Sequence, residues 1–370
     1  MLHDPVRPVP EPFRPKLLVA LAEGYSSATL KADALAGLTV AVVALPLSMA
    51  IAIASGLPPE HGLFAAVVGG FLISALGGSR FQVGGPAGAF IVLVGAAVAD
   101  IGVAGMLTAT LISGVLLALV GALKLGTYVK YVPYPVTVGF TAGIGVIILA
   151  SQIAPFLGLT LAGPEPAAVI PKLAALWQAR ETVTPAAMAV AVGTILAILL
   201  LRHLRPHWPG MLIAVAVAAA TVAAFGLPVE TIGTRFGEMP RMLPAVHLPE
   251  LTAGTLAAAM PYALSFTLLG AIESLLSAVV ADGMTGRRHR SNVELVGQGA
   301  ANIAAGLFGA MPVTGTIART ATNVRAGART PVAGMIHALT IMAVMLGPPP
   351  AARPGALAGR GRAPAALPRG

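Results

Sequence analysis

The feature that most constrains this chain is a series of apolar segments, separated by short polar loops, that runs along most of its length. A helix needs about 20 apolar residues to cross a bilayer, and about eleven segments approach or reach that length. They span residues 34–55, 61–77, 86–99, 104–123, 133–157, 185–201, 210–225, 256–281, 292–309, 315–326 and 331–346. Only 10% of the 370 residues are charged, against about 25% in soluble domains. The sequence therefore predicts an all-α polytopic membrane protein and excludes a soluble enzyme or a disordered chain.

Two of these segments, 86–99 and 315–326, are too short to cross a bilayer. Each follows a break rich in glycine and proline, at Gly84-Gly85-Pro86 and at Met311-Pro312-Val313-Thr314-Gly315. Non-helical backbone at membrane depth is tolerated where it lines a cavity, and paired broken helices are typical of transporter binding sites. Pro86 and Gly315 lie 229 residues apart. This spacing indicates two related halves, each with one half-helix.

The basic residues predict the orientation of the chain. With the N-terminus in the cytoplasm, fourteen Lys and Arg residues fall in cytoplasmic regions and four fall in outside loops, as the positive-inside rule requires. The formal charge of +9 comes from residues dispersed singly along short loops. Because no basic face interleaved with aromatic residues is present, we expect no nucleic-acid partner.

The two half-helices predict an anion site. The start of a helix presents unpaired N–H groups and the positive end of a dipole. The small residues Ala87, Gly88 and Ala89 leave the first of these turns open, and Thr314, Thr316 and Thr320 offer hydroxyl donors near the second. The alternative is that these small residues serve only close helix packing.

Two charged residues lie inside apolar segments, where a charge usually faces a cavity or a partner. Arg319 favours an anionic substrate, although an arginine that reaches the membrane surface is the alternative. Glu273 is placed to carry a proton or to bind Na⁺ together with Ser277, one helical turn further on. A static ion pair between Glu273 and Arg319 is the competing interpretation.

Other chemistry finds no support in the sequence. The chain has no cysteine, so thiolate metal sites are excluded, and no two histidines have metal-ligand spacing within a helix. Asp282 and Glu294 are most simply charge partners or helix caps. No phosphate-binding loop or hydrolase motif occurs, which argues against an enzyme or an ATP-driven pump. We therefore expect no cofactor apart from a coupling H⁺ or Na⁺.

Several motifs resemble the SulP sulfate-permease family, which is solute carrier family 26 in animals. In the first half they are Asp33-Ala34-Leu35-Ala36-Gly37-Leu38-Thr39, Ala44-Leu45-Pro46, Gly77-Gly78-Ser79-Arg80 and Gly85-Pro86. In the second half they are Gly270-Ala271-Ile272-Glu273-Ser274-Leu275-Leu276, Ala281-Asp282-Gly283-Met284-Thr285-Gly286, Glu294-Leu295-Val296-Gly297-Gln298-Gly299 and Ile317-Ala318-Arg319-Thr320-Ala321-Thr322-Asn323. The resemblance covers approximately residues 30–346.

The resemblance implies a fold of seven plus seven inverted spans, in which a core of spans 1–4 and 8–11 moves against a gate of spans 5–7 and 12–14. It also implies a homodimer in the bacterial inner membrane. The implied substrate pocket is lined by Leu47, Ser48, Ile51, Pro86, Ala87, Gly88, Ala89, Thr316, Ile317, Ala318 and Arg319, with Glu273 and Ser277 for the coupling ion.

The sequence divides into a cytoplasmic tail (1–33), a transmembrane domain (34–346) and a segment of Gly, Pro, Ala, Arg and Leu (347–370). We expect the last segment to be a frameshifted or truncated reading frame, with a genuine disordered tail as the alternative. On this interpretation half of the gate and the STAS domain typical of the family are missing.

The predicted function is secondary active transport of sulfate, another inorganic anion or a C4-dicarboxylate, by symport or exchange. Two alternatives remain open. One is a nucleobase or xanthine permease of the same fold, and the other is a truncated membrane protein that binds ligand without transporting it.

Overall fold

The computed structural model describes residues 13–131, 134–163, 165–166, 168–205, 210–231, 234, 242–249 and 251–347. The tail predicted over 347–370 lies outside these residues except for Gly347, and so do residues 1–12 of the tail predicted over 1–33. In the first half the helices are α1 Lys16–Ala22, α2 Ser27–Ala54, α3 Pro59–Phe64, α4 Gly70–Leu76, α5 Ile91–Ala122, α6 Tyr134–Leu157, α7 Val169–Gln178, α8 Pro185–Leu204 and α9 Gly210–Phe225. In the second half they are α10 Ala253–Thr285, α11 Ser291–Leu307, α12 Ile317–Arg325 and α13 Val332–Leu346.

Short elements connect these helices. A π-helical turn, Ala65–Gly69, joins α3 to α4, and a 3₁₀ turn, Gly88–Phe90, leads into α5. Two further 3₁₀ turns cover Leu125–Tyr131 and Arg180–Thr182. The strands β1 (Gly84–Gly85) and β2 (Thr314–Gly315) each have two residues.

Among the described residues, five helical stretches are long and apolar enough to cross a membrane. They are Ser27–Ala54, Pro59–Leu76, Gly88–Ala122, Pro185–Leu204 and Ala253–Thr285. On α8 the apolar side chains of Leu196, Leu199 and Leu200 are more than half exposed. Such a surface is suited to lipid rather than to water. The structure thus confirms the predicted polytopic all-α membrane fold.

Both predicted half-helices are present. The helical stretch after β1 is interrupted at Gly102, whose φ of 70° and ψ of 177° are not helical. This break falls between the predicted segments 86–99 and 104–123. The second half-helix, α12, has nine residues and is therefore too short to cross a bilayer.

The structure differs from the sequence prediction at several places. Helix α1, Lys16–Ala22, lies within the predicted N-terminal tail, 1–33. Helix α2 begins at Ser27, ahead of residue 34, because the Ser26 side chain accepts a hydrogen bond from the Thr29 N–H and caps the helix. Counting apolar residues misses this polar first turn. The ten-residue helix α7 was not predicted because it is too short for a membrane span. Its buried face includes Leu176, which is 5% exposed, while Ile170 and Trp177 point outward.

The core surrounds the two strands. Helix α5 packs along α10 and α11, while α13 packs along α2 and α4. Phe90, at the start of the first half-helix, meets Phe266 of α10 edge to face, with 5.8 Å between the ring centroids. The first half-helix is therefore anchored by an aromatic contact directly beside the strands.

Candidate anion-binding site

The two chain breaks meet at the centre of the core. Strand β1 pairs with β2 in antiparallel fashion, with Gly84 opposite Gly315 and Gly85 opposite Thr314. A helical segment follows each strand, beginning at Gly88 and at Ile317 respectively. Because the pairing fixes the strands against each other, it also brings the starts of the two half-helices together.

Neither half-helix start is capped by a side chain. Ala87 precedes the Gly88–Phe90 turn and Thr316 precedes α12, and neither provides a side-chain capping bond. The Thr316 hydroxyl instead donates to the Val83 carbonyl at 3.3 Å, and the Thr316 N–H donates to the same oxygen at 3.1 Å. The first-turn N–H groups are thus left without side-chain acceptors, which is the arrangement that favours an anion.

Arg319 lies between the two halves. Its Nη1 donates to the Gly84 carbonyl at 3.3 Å, and its Nη2 donates to the Pro86 carbonyl at 3.3 Å and to Ser48 Oγ at 3.0 Å. The side chain is 3% exposed, and no described carboxylate forms an ion pair with it. A buried charge normally has a charged partner. Arg319 therefore brings an uncompensated positive charge to the half-helix starts.

The remaining predicted pocket residues fall into two groups. Ser48, Ile51, Pro86, Ala87 and Thr316 are buried, and Gly88, Ala89 and Ile317 are half-buried. Leu47 and Ala318 are exposed, and together with Arg319 they line a cavity of about 40 Å³ between α2 and α12. The structure thus brings four of the predicted residues to Arg319: Ser48 and Pro86 through hydrogen bonds, and Leu47 and Ala318 as neighbours in this cavity.

Glu273 and Ser277 lie one turn apart on α10, next to α12. Glu273 Oε2 is buried and has no hydrogen-bond partner among the described residues. No ion pair joins Glu273 to Arg319 in this part of the chain, so the static pair is not formed. The Ser277 hydroxyl donates to Thr320 Oγ1 at 3.0 Å, and Thr320 Oγ1 also accepts the Val83 N–H at 3.2 Å. Ser277 is therefore linked to the strands rather than to Glu273.

Several polar residues that position the strands were not predicted. Asn302 binds both backbone polar groups of Val313, the residue before β2. Its Oδ1 accepts the Val313 N–H at 3.0 Å, and its Nδ2 donates to the Val313 carbonyl at 2.8 Å. Gln298, one turn earlier on α11, donates to the same carbonyl at 3.0 Å. The signal in the sequence is a pair of amide side chains four residues apart inside an apolar segment.

Other polar side chains hold residues 78–82, the stretch of chain that precedes β1. Glu294 Oε2 accepts the N–H groups of Gly78 and Ser79 at 2.7 and 2.9 Å, which makes it a cap for this loop. Gln82 Nε2 donates to Ser274 Oγ at 2.7 Å, and Ser274 lies beside Glu273 in sequence. Asp282 was expected to pair with a charge or cap a helix, and its Oδ2 lies 2.7 Å from His289 Nδ1.

Comparison with known proteins gives the family of the chain. Residues 30–354 match the sulfate permease family. The chain belongs to that family. The putative sulfate transporter YvdB of Bacillus subtilis is 44% identical over 326 residues, which cover 88% of this chain and 61% of the relative. The bicarbonate transporter BicA of a Picosynechococcus strain is 34% identical over 329 residues, covering 86% of this chain and 57% of the relative. This family member spans about three fifths of the length of these curated relatives.

Solved structures share the fold. The transmembrane domain of a cyanobacterial bicarbonate transporter BicA matches with a TM-score of 0.78 and 34% identity, covering 87% of this chain and 83% of that one. The murine Slc26a9 anion transporter in its inward-facing state matches with a TM-score of 0.78 at 19% identity, covering 89% of this chain and 58% of that one. The second likeness concerns the fold alone. The relatives named here are transporters, in agreement with the prediction that the chain is not an enzyme.

Proposed function

We propose that this chain is a secondary active anion transporter that binds its substrate between the starts of the two half-helices. The observation that carries the proposal is the β1–β2 pair, which brings two uncapped helix starts to the buried, unpaired guanidinium of Arg319. An oxyanion placed there accepts hydrogen bonds from first-turn N–H groups and compensates the arginine charge.

The substrate class follows from the charge of the site and from the relatives. Arg319 favours an anion over the neutral ring of a nucleobase, and the relatives are named as transporters of sulfate and of bicarbonate. We therefore propose sulfate or bicarbonate as the substrate, with a C4-dicarboxylate as the alternative of the same charge class. The residues proposed to contact it are those of the predicted pocket on α2, the first half-helix and α12.

Glu273 is proposed as the group that couples transport to a cation. Its Oε2 is buried without a partner among the described residues, so a proton or Na⁺ arriving there satisfies an otherwise unpaired oxygen. Ser277 is four residues further on and provides a hydroxyl that would have to leave Thr320 in order to join a Na⁺ site.

The proposed setting is the inner membrane of a bacterium, with the N-terminus in the cytoplasm and two copies of the chain forming a homodimer. The excess of basic residues in the regions assigned to the cytoplasm supports the orientation. The bacterial source of YvdB supports the location.

Uptake into proteoliposomes tests the function. Labelled sulfate, bicarbonate, succinate and xanthine are offered to vesicles containing the 370-residue chain, with and without an inward proton or Na⁺ gradient. The proposal predicts gradient-stimulated uptake of at least one of the anions. Uptake of xanthine alone identifies a nucleobase permease, and binding of an anion without uptake of any compound identifies a protein that does not transport.

A further inference from the structure

Residues 13–25 form a segment that is held against the ends of the core helices. The Lys16 N–H donates to the Gly77 carbonyl at 3.0 Å, and Arg290 Nη1 donates to the Arg14 carbonyl at 2.9 Å. Glu23 forms an ion pair with Arg80. This segment, which includes α1, therefore rests on the loop Gly77–Arg80, from which the chain continues directly into β1.

The outer side of this segment is apolar. Phe13, Leu18 and Leu21 are 53%, 54% and 46% exposed, whereas Ala20 is 3% exposed and faces the core. Leu18 and Leu21 are three residues apart and so share one side of α1. A short helix with an apolar outer side at the end of membrane-spanning helices lies at the depth of the lipid headgroups and upper acyl chains.

Exposed guanidinium groups lie on this segment and on the 286–290 loop, which contacts it through Arg290 and the Arg14 carbonyl. They are those of Arg14, Arg287 and Arg288, and no described acid forms an ion pair with any of them. Among the described acids nearby, Glu23 pairs with Arg80 and Asp282 pairs with His289. The hydrogen bond from Arg80 lowers the pKa of the Glu23 carboxyl, and the positive charges of Arg287 and Lys16 lower it further. The positive charge of Arg287, in the 286–290 loop, thus acts on Glu23, the residue directly after α1. We name Phe13, Arg14, Leu18, Leu21, Arg287 and Arg288 the basic face.

We infer that the basic face binds the phosphodiester headgroups of anionic phospholipids, and that the bound lipid holds α1 against the Gly77–Arg80 loop. Both parts of such a lipid are matched: the guanidinium groups meet the phosphate, and the leucine and phenylalanine side chains meet the upper acyl chain. The site is separate from the proposed anion site and its occupancy does not depend on transport.

Native mass spectrometry of the purified full chain tests this inference with phosphatidylglycerol and phosphatidylcholine as probes. Phosphatidylglycerol is expected to bind in preference to phosphatidylcholine. The double variant Arg287→Gln/Arg288→Gln is expected to bind it about 30-fold more weakly, since each cation near an anionic lipid surface contributes about fivefold. The matched control Lys124→Gln/Arg202→Gln removes two exposed cations elsewhere and is expected to bind like the unchanged chain.

A second variant separates a lipid from a free phosphate. Leu18→Gln/Leu21→Gln keeps every guanidinium and is expected to weaken phosphatidylglycerol binding as well. Equal binding of the two lipids, equal loss in the control, or full displacement of phosphatidylglycerol by inorganic phosphate would each overturn the inference. Hydrogen exchange of residues 16–22 supplies a further readout, with slower exchange expected in phosphatidylglycerol than in phosphatidylcholine nanodiscs.

Discussion

At the residue scale, Arg319 has two opposing effects on the stability of the fold. Its three hydrogen bonds to Gly84, Pro86 and Ser48 fasten the first half-helix to α2 and α12, but none of these acceptors carries a charge. Burying a cation without an anion is costly. In the proposed site, the charge of the bound substrate compensates that of Arg319.

Replacing Arg319 by alanine is expected to weaken sulfate binding roughly 10- to 100-fold, because a hydrogen bond to a charged group contributes about 1.5–3 kcal/mol. Isothermal titration of the purified chain with sulfate measures the change. Arg325→Ala is the matched control, since Arg325 is exposed at the other end of the same half-helix. Equal losses in the two variants would contradict a specific role for Arg319.

The second residue-scale prediction concerns Glu273. Glu273→Gln keeps the size of the side chain and removes its ability to exchange a proton or to bind Na⁺ as a carboxylate. Anion uptake is expected to lose its dependence on the proton or Na⁺ gradient, while Glu60→Gln, a change on α3, leaves that dependence intact. A gradient dependence that survives in Glu273→Gln would exclude Glu273 as the coupling group.

At the element scale, the chain breaks and most of the long helices were predictable, whereas the short helices α1 and α7 and the strand pair were not. Glycine and proline at 84–86 and 311–315 interrupt otherwise apolar segments, and this signal is local. The strands have only two residues each, too few for any alternating pattern to appear. They are held by side chains whose partners no local pattern reveals: Asn302 and Gln298 bind Val313, and Gln82 binds Ser274 of α10, 192 residues away. Arg319 contacts the predicted residues Ser48 and Pro86, whereas the residues that hold the strands in place emerged only from the fold.

The strand pair makes Gly85 a sensitive position. Its φ of 152° lies where other residues are strained, and a methyl group there would overlap the Arg319 guanidinium. Gly85→Ala is expected to lower the free energy of unfolding by about 2 kcal/mol or more and to weaken sulfate binding in parallel. Thermal unfolding in detergent measures the first effect. Gly283→Ala, at a position with open space, should change neither quantity, and an unchanged melting temperature in Gly85→Ala would contradict the tight packing at β1.

At the scale of the whole molecule, the fold is that of the BicA transmembrane domain, and the proposed anion site lies between its two halves. The cores of the halves are interlocked, because α5 packs on α10 and α11 while α13 packs on α2. The likeness to the BicA transmembrane domain extends over 87% of this chain. The orientation of the chain in the bilayer is inferred from the distribution of its basic residues alone. A direct measurement of that orientation therefore tests it independently.

Cysteine labelling is well suited to this measurement because the natural chain has no cysteine. The single variants Glu181→Cys and Arg288→Cys are separated by α8, α9 and α10, and are therefore expected on opposite sides of the membrane. A membrane-impermeant maleimide should label the Glu181→Cys chain in intact cells and the Arg288→Cys chain only in inverted vesicles. The reverse pattern would contradict a cytoplasmic N-terminus.

The central claim is that an anion binds between the starts of the two half-helices. Selenate is a close analogue of sulfate whose selenium atom scatters anomalously, so a crystal of the chain grown with selenate locates the bound anion directly. We expect an anomalous peak within hydrogen-bonding distance of the N–H groups at Gly88–Ala89 and at Ile317–Ala318, close to Arg319. A peak elsewhere, for example in the apolar cavity of about 330 Å³ between α8 and α9, with none at the half-helix starts, would contradict it.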